Sequence, residues 1–339
     1  MQVEKNDREV AGEVVAFAIA GNLNRLLSIA VRLRIPDILL DGPRSITQLA
    51  QQTGANEGAL YRILRALVSI GFFEEQGARS FGNSERSRLL CEEVEGSLRD
   101  FVLWEQADWL NKAWTACEHT VRTGRPSFNY VYRTDFWTWL AEHPHIRFQF
   151  HELLKSSSLP PDRLLSMYDF SNVQKMVDVG GGDGTVLCGV LKAYPSMEGI
   201  LFDMPDALVN AQHVVEVMEG GDRCHLQAGN FFEAIPAGAD LYFLQSVLHD
   251  WNDEDCLKIL RTCRNAMSSR SKLLLAERIF PAEKAPMEAV CFDLWMLFIF
   301  GGKERTAEEF RALLELAGLR VERVIQPEAS VHGLIECTL

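Results

Sequence analysis

The sequence has no Cys-X-X-Cys pair, although eight cysteines are spread through its 339 residues. Neither a zinc knuckle nor a redox dithiol is expected, and so no metal. Cys256 and Cys263 share an apparent helix and read as small core residues, the usual place of a reduced thiol. No apolar run approaches the roughly 18–20 residues of a membrane span. The longest, residues 294–300, is far too short, so no membrane partner is expected. A basic excess is missing too. The formal net charge of −13 argues against a protein that neutralises phosphates, and hence against a nucleic-acid partner. The opening MQVEKNDREV mixes both charge signs and lacks the form of a secretory signal, which makes the cytoplasm the expected compartment.

What is present is ample apolar material, 47% of residues, in a chain long enough for two domains. Residues 11–155 are mostly helical in pattern. The stretch SITQLAQQTGANEGALYRILRALVSIGFFEEQGARSFGNS reads as helix, turn, helix and hairpin, a winged helix. Leu60, Ile63, Leu64, Leu67 and Val68 follow the spacing of one buried helical face, and Gly71 stands where a helix end favours a left-handed residue. A winged helix invites a DNA-binding reading through Arg62 and Arg65. The apolar face of that helix, with Glu74 and Glu75 at the wing, favours packing or dimerisation instead. Residues 85–165 are rich in aromatics, whose large rings belong mostly to the core.

SSSLPPD at 156–162 marks a break. Beyond it KMVDVG, GILFDM, CHLQAG, DLYFLQSV and KLLLAERI alternate with helices, and a strand pair is expected near 321–337. Short apolar runs between helices predict a parallel sheet covered on both faces. The sharpest local feature is VDVGGGDGT, residues 177–185, between a strand and a helix. A dinucleotide fingerprint needs G-X-G-X-X-G, but its third position is Thr185 counted from Gly180, or Leu187 counted from Gly182. A P-loop lysine is missing as well. The spacing D-X-G-X-G-X-G resembles the class I methyltransferase loop, which binds S-adenosylmethionine. Asp203 follows about twenty residues later at a strand end, where an acid can accept both ribose hydroxyls.

His249 sits at the carboxyl end of the fourth strand, where ligands gather in open α/β sheets, and a helix starts at Asn252 or Asp253. Its buried stripe is predicted as Cys256, Ile259, Leu260 and Cys263. A phenol has a pKa of about 10, so a neutral imidazole on its proton makes it a stronger nucleophile. A carboxylate on the other ring nitrogen would fix the tautomer, and Glu277 and Glu304 are the candidates.

Taken in order, ALYRILRALVSIGFFEE, VDVGGGDGT, LFDMPD, GNFFEAIP, LHDWNDEDCLKILRTC, AERIFP and GGKERTAEEF resemble the caffeate and acetylserotonin type of O-methyltransferase, including its microbial natural-product members. The resemblance implies a class I, Rossmann-like α/β sheet preceded by a mostly helical winged-helix dimerisation domain. The expected boundaries are 1–100 for dimerisation, 101–165 for a helical linker contributing to the substrate pocket, and 166–339 for the catalytic domain. It implies His249 as base with Glu277 and Glu304 flanking it. Cofactor contacts fall on Ser157, Gly180, Gly182, Asp203, Asn230, Phe231 and Gln245. Trp104, Leu153, Asp250, Trp295 and Phe298 are candidates for the substrate pocket. Relatives are intertwined homodimers whose N-terminal domains help close the partner's pocket.

Two departures stand out. The family's acid in G-D-X-F is Asn230 here, and its basic residue before LHDW is replaced by Gln245-Ser246. An amide accepts from the adenine amine without charge assistance, so cofactor binding is expected to be ordinary rather than tight. Apolar residues 295–300 suit a broad aromatic acceptor with few polar handles. The expected reaction is methyl transfer from S-adenosylmethionine to an aromatic hydroxyl of a secondary metabolite. N-methylation of an aromatic nitrogen, or a non-methylating or DNA-binding regulator on the same scaffold, are the alternatives.

Overall fold

A computed structural model of the chain describes residues 2–77, 79–327 and 331–339, with the side chains of 2–7, 151, 152, 154–157 and 210 outside the description. The chain forms two compact units, 1–112 and 113–339. The division falls inside the segment expected to be a linker. Residues 101–112 belong with the first unit, and 113–165 with the catalytic sheet.

The first unit opens with α1 (Gln2–Arg32), followed by α2 (Ile46–Thr53) and α3 (Glu57–Ser69). Ser45 and Gln48 form a reciprocal capping box at the start of α2, and Asn56 caps α3. Leu60, Leu64 and Leu67 of α3 are fully buried, while Ile63 and Val68 pack half-buried at the edge of the same core. Gly71 has a φ of +79°, as its position beyond the helix predicts. Strands β1 (Arg44–Ser45), β2 (Phe73–Glu75) and β3 (Ser80–Asn83) form the wing, in the order β1-β3-β2.

One sequence-based expectation needs correction here. Residues Arg8–Arg32 of α1 form a segment of 25 residues that is long and apolar enough to cross a membrane by length and composition. Glu13, Asn22, Asn24 and Arg25 interrupt it, which is why a search for uninterrupted apolar runs passes over it. Leu27, Ala30 and Val31 near its end are buried in the first unit, but the apolar side chains of its first half lack cover within the chain. Val14 and Val15 are exposed, and Phe17 is 85% exposed.

The second unit is built on seven strands. They are β4 (Lys175–Val179), β5 (Glu198–Asp203), β6 (Cys224–Ala228), β7 (Leu241–Gln245), β8 (Lys272–Arg278), β9 (Arg320–Ile325) and β10 (His332–Thr338). Their order is β6-β5-β4-β7-β8-β10-β9, and only the β8–β10 and β10–β9 pairings are antiparallel. Both faces are covered, as the apolar runs predicted. One core gathers Val177, Leu244 and Leu275 with Cys256, Ile259, Leu260 and Cys263; the other gathers Met176, Phe243 and Leu274 with Leu187 and Leu191. The four residues of the predicted stripe, on a helix spanning Asp253–Ala266, are fully buried. Each such aliphatic burial contributes about 1.5–3 kcal/mol. The eight cysteines are free; Cys117 is half-buried and Cys291 exposed, the other six being buried.

Helices between residues 113 and 165 carry an aromatic cluster onto the sheet unit. Phe128, Phe136, Trp139 and Phe150 are buried, whereas Tyr130 and Phe148 stay exposed. Phe136 and Trp137 meet Phe300 with ring centroids 4.9 and 5.5 Å apart, and Trp137 stacks on Trp251 at 6.4 Å.

Candidate active site

The carboxyl ends of the parallel strands converge on one edge, where α/β sheets hold ligands. After β4 comes the glycine loop. Gly180, Gly182 and Gly184 all have positive φ, and the Gly180 N–H donates to Phe202 O at 2.8 Å. A side chain on Gly182 would meet nothing within 4 Å, so this part of the main chain stands open to a ligand. Asp203 ends β5 and ties the loop down. Its Oδ2 accepts from Gly182 N at 2.9 Å and its Oδ1 from Met204 N at 2.7 Å. Burial raises its pKa against the pull of these two N–H groups. Asp178, buried beneath the loop, is pushed up to about 8 by burial first and by the Asp203 charge second.

Asn230 is engaged locally. Its Oδ1 accepts from Phe232 N at 3.0 Å and its Nδ2 donates to Glu233 at 3.2 Å. The carbonyl keeps a second lone pair for a ligand. Phe231 approaches Gly180 and stands edge-on to Trp251 at 5.9 Å. Gln245, the last residue of β7, donates from Nε2 to Leu159 O at 3.1 Å, while its Oε1 is buried without a donor. The Ser157 side chain lies outside the described residues.

Beyond Gln245 the chain turns sharply at Ser246, a non-glycine residue with φ +52°. Such strain persists only where the surroundings enforce it. It leads into the short 3-10 turn Leu248–Asp250 that carries His249. His249 Nδ1 bonds Glu304 Oε1 at 3.0 Å, and Nε2 lies 3.5 Å from Asp250 Oδ1. Glu277 serves differently from the expected direct flank. Its Oε1 accepts from the backbone N–H groups of Val247 at 3.0 Å and Leu248 at 2.8 Å, so it hydrogen-bonds the turn and acts on the ring through charge alone.

The segment behind this turn is as closely fitted. A helix at Met287–Trp295 runs into a π-helical turn at Met296–Phe300, closed by Gly301 N to Met296 O at 2.7 Å. Such turns recur at functional sites. A side chain on Gly302 would fall 1.9 Å from His249 O, so glycine lets the strand of backbone lie flat on the base turn. Lys303 N then donates to His249 O at 3.0 Å, and Glu304 N to Asp293 at 2.9 Å.

Arg305 is the residue that sequence reading missed. Fully buried, it donates to Leu248 O and Trp251 O, each at 2.8 Å, and to Asp253 Oδ1 at 2.8 and 3.0 Å. One guanidinium thus clamps both ends of the turn that presents His249. Arginine in a polar KERT string reads as surface, and only the fold shows that it is enclosed.

Water is scarce here. The side chains of His249 and Asp250 are each 12% exposed, and that of Glu304 is 2%. Burial alone would depress the imidazole, but the charges of Asp250 and Glu304 and the Glu304 hydrogen bond outweigh it, raising His249 to about 10. Burial pushes Asp250 up to about 7 against the opposing His249 charge. It raises Glu277 too, against the His249 charge and the two N–H bonds.

Of the acceptor candidates, Trp295 and Phe298 stand on the segment packed over the base turn. Phe298 is buried edge-on to Trp114 at 4.9 Å, and Trp295 lies 5.9 Å from Phe300. Leu153 is half-buried on the helix Pro144–Ser157. Trp104 belongs to the first unit, buried edge-on to Trp109 at 5.0 Å. Trp137, Trp251 and Phe300 pack together beside the turn, and their spacing does not set them apart from core aromatics.

Residues 114–320 match the family model for the O-methyltransferase domain, and residues 21–93 match that for the O-methyltransferase dimerisation domain. The chain belongs to the O-methyltransferase family. It is 37% identical over 332 residues to mitomycin biosynthesis 6-O-methyltransferase of Streptomyces lavendulae, covering 97% of this chain and 95% of that protein. The solved structure of mitomycin 7-O-methyltransferase MmcR matches with a TM-score of 0.92 and 36% identity, over 98% of this chain and 99% of the other. NcsB1, an O-methyltransferase from neocarzinostatin biosynthesis solved with S-adenosylmethionine and 2-hydroxy-5-methyl naphthoic acid, matches with a TM-score of 0.82 and 29% identity over 93% and 95% of the two chains. Phenazine-1-carboxylate N-methyltransferase of Pseudomonas aeruginosa is also similar, 30% identical over 89% and 90%.

This O-methyltransferase uses S-adenosylmethionine, and its residues fit that molecule. The open main chain at Gly182, the free lone pairs of Asp203 and the donorless Gln245 Oε1 are the acceptors and space it requires. Among the described residues no cluster of metal-ligating side chains occurs.

The Arg305 clamp is testable. Arg305→Met removes the guanidinium's bonds to the Leu248 and Trp251 carbonyls and to the exposed Asp253, and is expected to cost about 1–3 kcal/mol of stability, the usual effect of losing hydrogen bonds from a charged donor. Turnover should fall as well, while S-adenosylmethionine affinity stays within about twofold. Arg305→Lys should recover part of the melting temperature but little turnover, because an ammonium lacks the planar fork. Wild-type melting and turnover in Arg305→Met would contradict the clamp.

Proposed function

We propose that this O-methyltransferase transfers a methyl group to a hydroxyl of a broad, flat aromatic secondary metabolite, with His249 as general base. S-adenosylmethionine, when bound, supplies a methyl carbon already activated by the sulfonium charge. The chain supplies alignment and a place for the proton. The observation that carries the reading is the His249 Nδ1 bond to the buried Glu304, which leaves Nε2 as the nitrogen that can take a proton. Imidazole must be neutral to do so. In the free protein the carboxylates favour its charged form. A cationic donor bound on the nearby glycine loop disfavours that form, so the base becomes competent as the complex assembles.

Gly180, Gly182, Asp203, Asn230, Phe231 and Gln245 are assigned to the cofactor, with Ser157 carried by resemblance alone. Asp250, Trp295, Phe298 and Leu153 are assigned to the acceptor, joined by Trp137, Trp251 and Phe300. Trp104 remains an acceptor candidate by resemblance. The aromatic cluster beside the base turn supports a flat, weakly polar acceptor. N-methylation keeps a foothold through the phenazine relative, since a nitrogen lone pair requires no base. A nucleic-acid partner finds no support in the charge of −13.

The test separates chemistry from binding. His249→Ala is expected to lower turnover by about 10²- to 10⁴-fold, the range for a general base, while S-adenosylmethionine still binds by calorimetry, and more tightly because the opposing imidazolium charge is gone. Undiminished turnover would remove His249 from the role and favour nitrogen as the acceptor atom, which product NMR reads directly. No S-adenosylmethionine binding at millimolar concentration would overturn the cofactor assignments.

The exposed apolar residues Val10, Val14, Val15, Phe17 and Ile19 of α1 support a homodimer in which this first half of the helix is covered by the partner chain. Val14→Glu with Phe17→Glu should then sediment as a monomer at micromolar concentration. A persistent dimer would place the interface elsewhere.

A further inference from the structure

Behind the base turn lies a second pocket that proton transfer at Nε2 does not use. It has a volume of about 340 Å³, and Arg278, Phe280, Ala289, Phe292, Gln326 and Glu304 are among its lining residues. That is within the range of small-molecule sites, roughly 300–1,000 Å³. Glu304 gives Oε1 to His249 Nδ1, yet its Oε2 is buried with no partner, in a residue only 6% exposed. A buried acceptor left open costs free energy that a donor on a ligand would recover. The two nitrogens of an imidazole diverge, so an acceptor reaching Nε2 does not occupy space on the Nδ1 side. None of Leu153, Asp250, Trp295 and Phe298 lines this pocket.

Arg278 supplies the opposite charge. Successive strand residues face opposite sides of a sheet, so it points away from Glu277, its neighbour in β8. Its guanidinium lies over the Phe292 ring, 4.1 Å from the centroid. Burial weakens its charged form, and Glu304 and Glu288 support it through charge alone, without a hydrogen bond to either. Among the described residues no carboxylate lies within ion-pair distance of this half-buried guanidinium, and such a group binds a carboxylate bidentately. Phe280, Phe292 and Ala289 supply apolar walls.

We propose that this pocket is a second ligand site, taking a planar aromatic carboxylate that also carries a hydrogen-bond donor. The carboxylate meets Arg278, the ring lies against Phe292, and a hydroxyl or amine donates to Glu304 Oε2. Binding here rests on the pocket alone and not on the methyl-transfer reading. Its occupant touches the carboxylate that holds the base, which places an effector, or a pathway compound of the acceptor's own chemical class, in contact with the catalytic cluster.

Calorimetry on the full chain saturated with S-adenosylhomocysteine, with 3-hydroxy-2-naphthoate as the probe, tests it. Binding is expected to weaken about tenfold or more in Arg278→Gln, in line with loss of a charge-assisted bidentate pair. It should weaken also in Phe292→Ala, and for 2-naphthol, which lacks the carboxylate. Trp295→Ala should leave the Arg278-dependent binding event unchanged, even where it weakens a separate event in the acceptor pocket. No binding at millimolar probe overturns the proposal. So does an affinity that ignores Arg278→Gln and Phe292→Ala but falls in Trp295→Ala, which would put the probe in the acceptor pocket.

Discussion

The contact on which the rest of the site depends is the hydrogen bond from the His249 imidazole to Glu304 in a place nearly without water. An imidazole so placed is costly in either protonation state unless its surroundings are built for it. The chain arranges those surroundings from distant segments. Glu277 holds the turn by two backbone N–H groups, Arg305 holds it by two carbonyls, and Gly302 lets the Glu304 segment press against it. The carboxylates act on the ring mainly through charge, while the arginine and glycine act on the backbone that presents it. An imidazole held in this way is positioned before any ligand arrives, and in the proposed base role that lowers the reorganisation proton transfer requires.

The same cluster links pH to stability. His249 has a folded-state pKa above its unfolded value of about 6.5. Its stabilising contribution is therefore complete below about pH 6.5 and is lost as pH rises through about 10. The base role proposed for His249 asks for the opposite state, a neutral ring. On the proposed mechanism, the conflict between the stable charged cluster and a neutral base is eased by a cationic donor on the neighbouring glycine loop. Binding order and proton affinity are then coupled.

Much of this was legible in the sequence, and for identifiable reasons. Parallel strands buried on both faces must be short apolar runs, and β4, β5, β7 and β8 are, whereas the edge strand β6 is mostly exposed. The stripe Cys256, Ile259, Leu260, Cys263 follows helical spacing and is buried as expected. The pairing of His249 with Glu304 was carried by ordered motifs rather than by spacing, since 55 residues separate the two. Three features were hidden. The role of Glu277 depends on backbone N–H groups, which no side-chain pattern records. Arg305 looks like surface because its partners are carbonyls of another loop. The apolar face of α1 is broken by Glu13 and the asparagines, so it shows only once the helix is seen to run unbroken from Gln2 to Arg32.

The central claim is that carboxylates hold the His249 imidazole in its charged form until the methyl donor binds. Nitrogen-15 NMR of histidine-labelled protein, with the His249 signal assigned by its loss in a His249 variant, reads this directly. The account predicts a titration midpoint well above the ordinary value of about 6.5. The midpoint should move down in Glu304→Gln, and down again when S-adenosylmethionine binds the wild-type protein. A midpoint at or below the ordinary value, unmoved by either change, would contradict it.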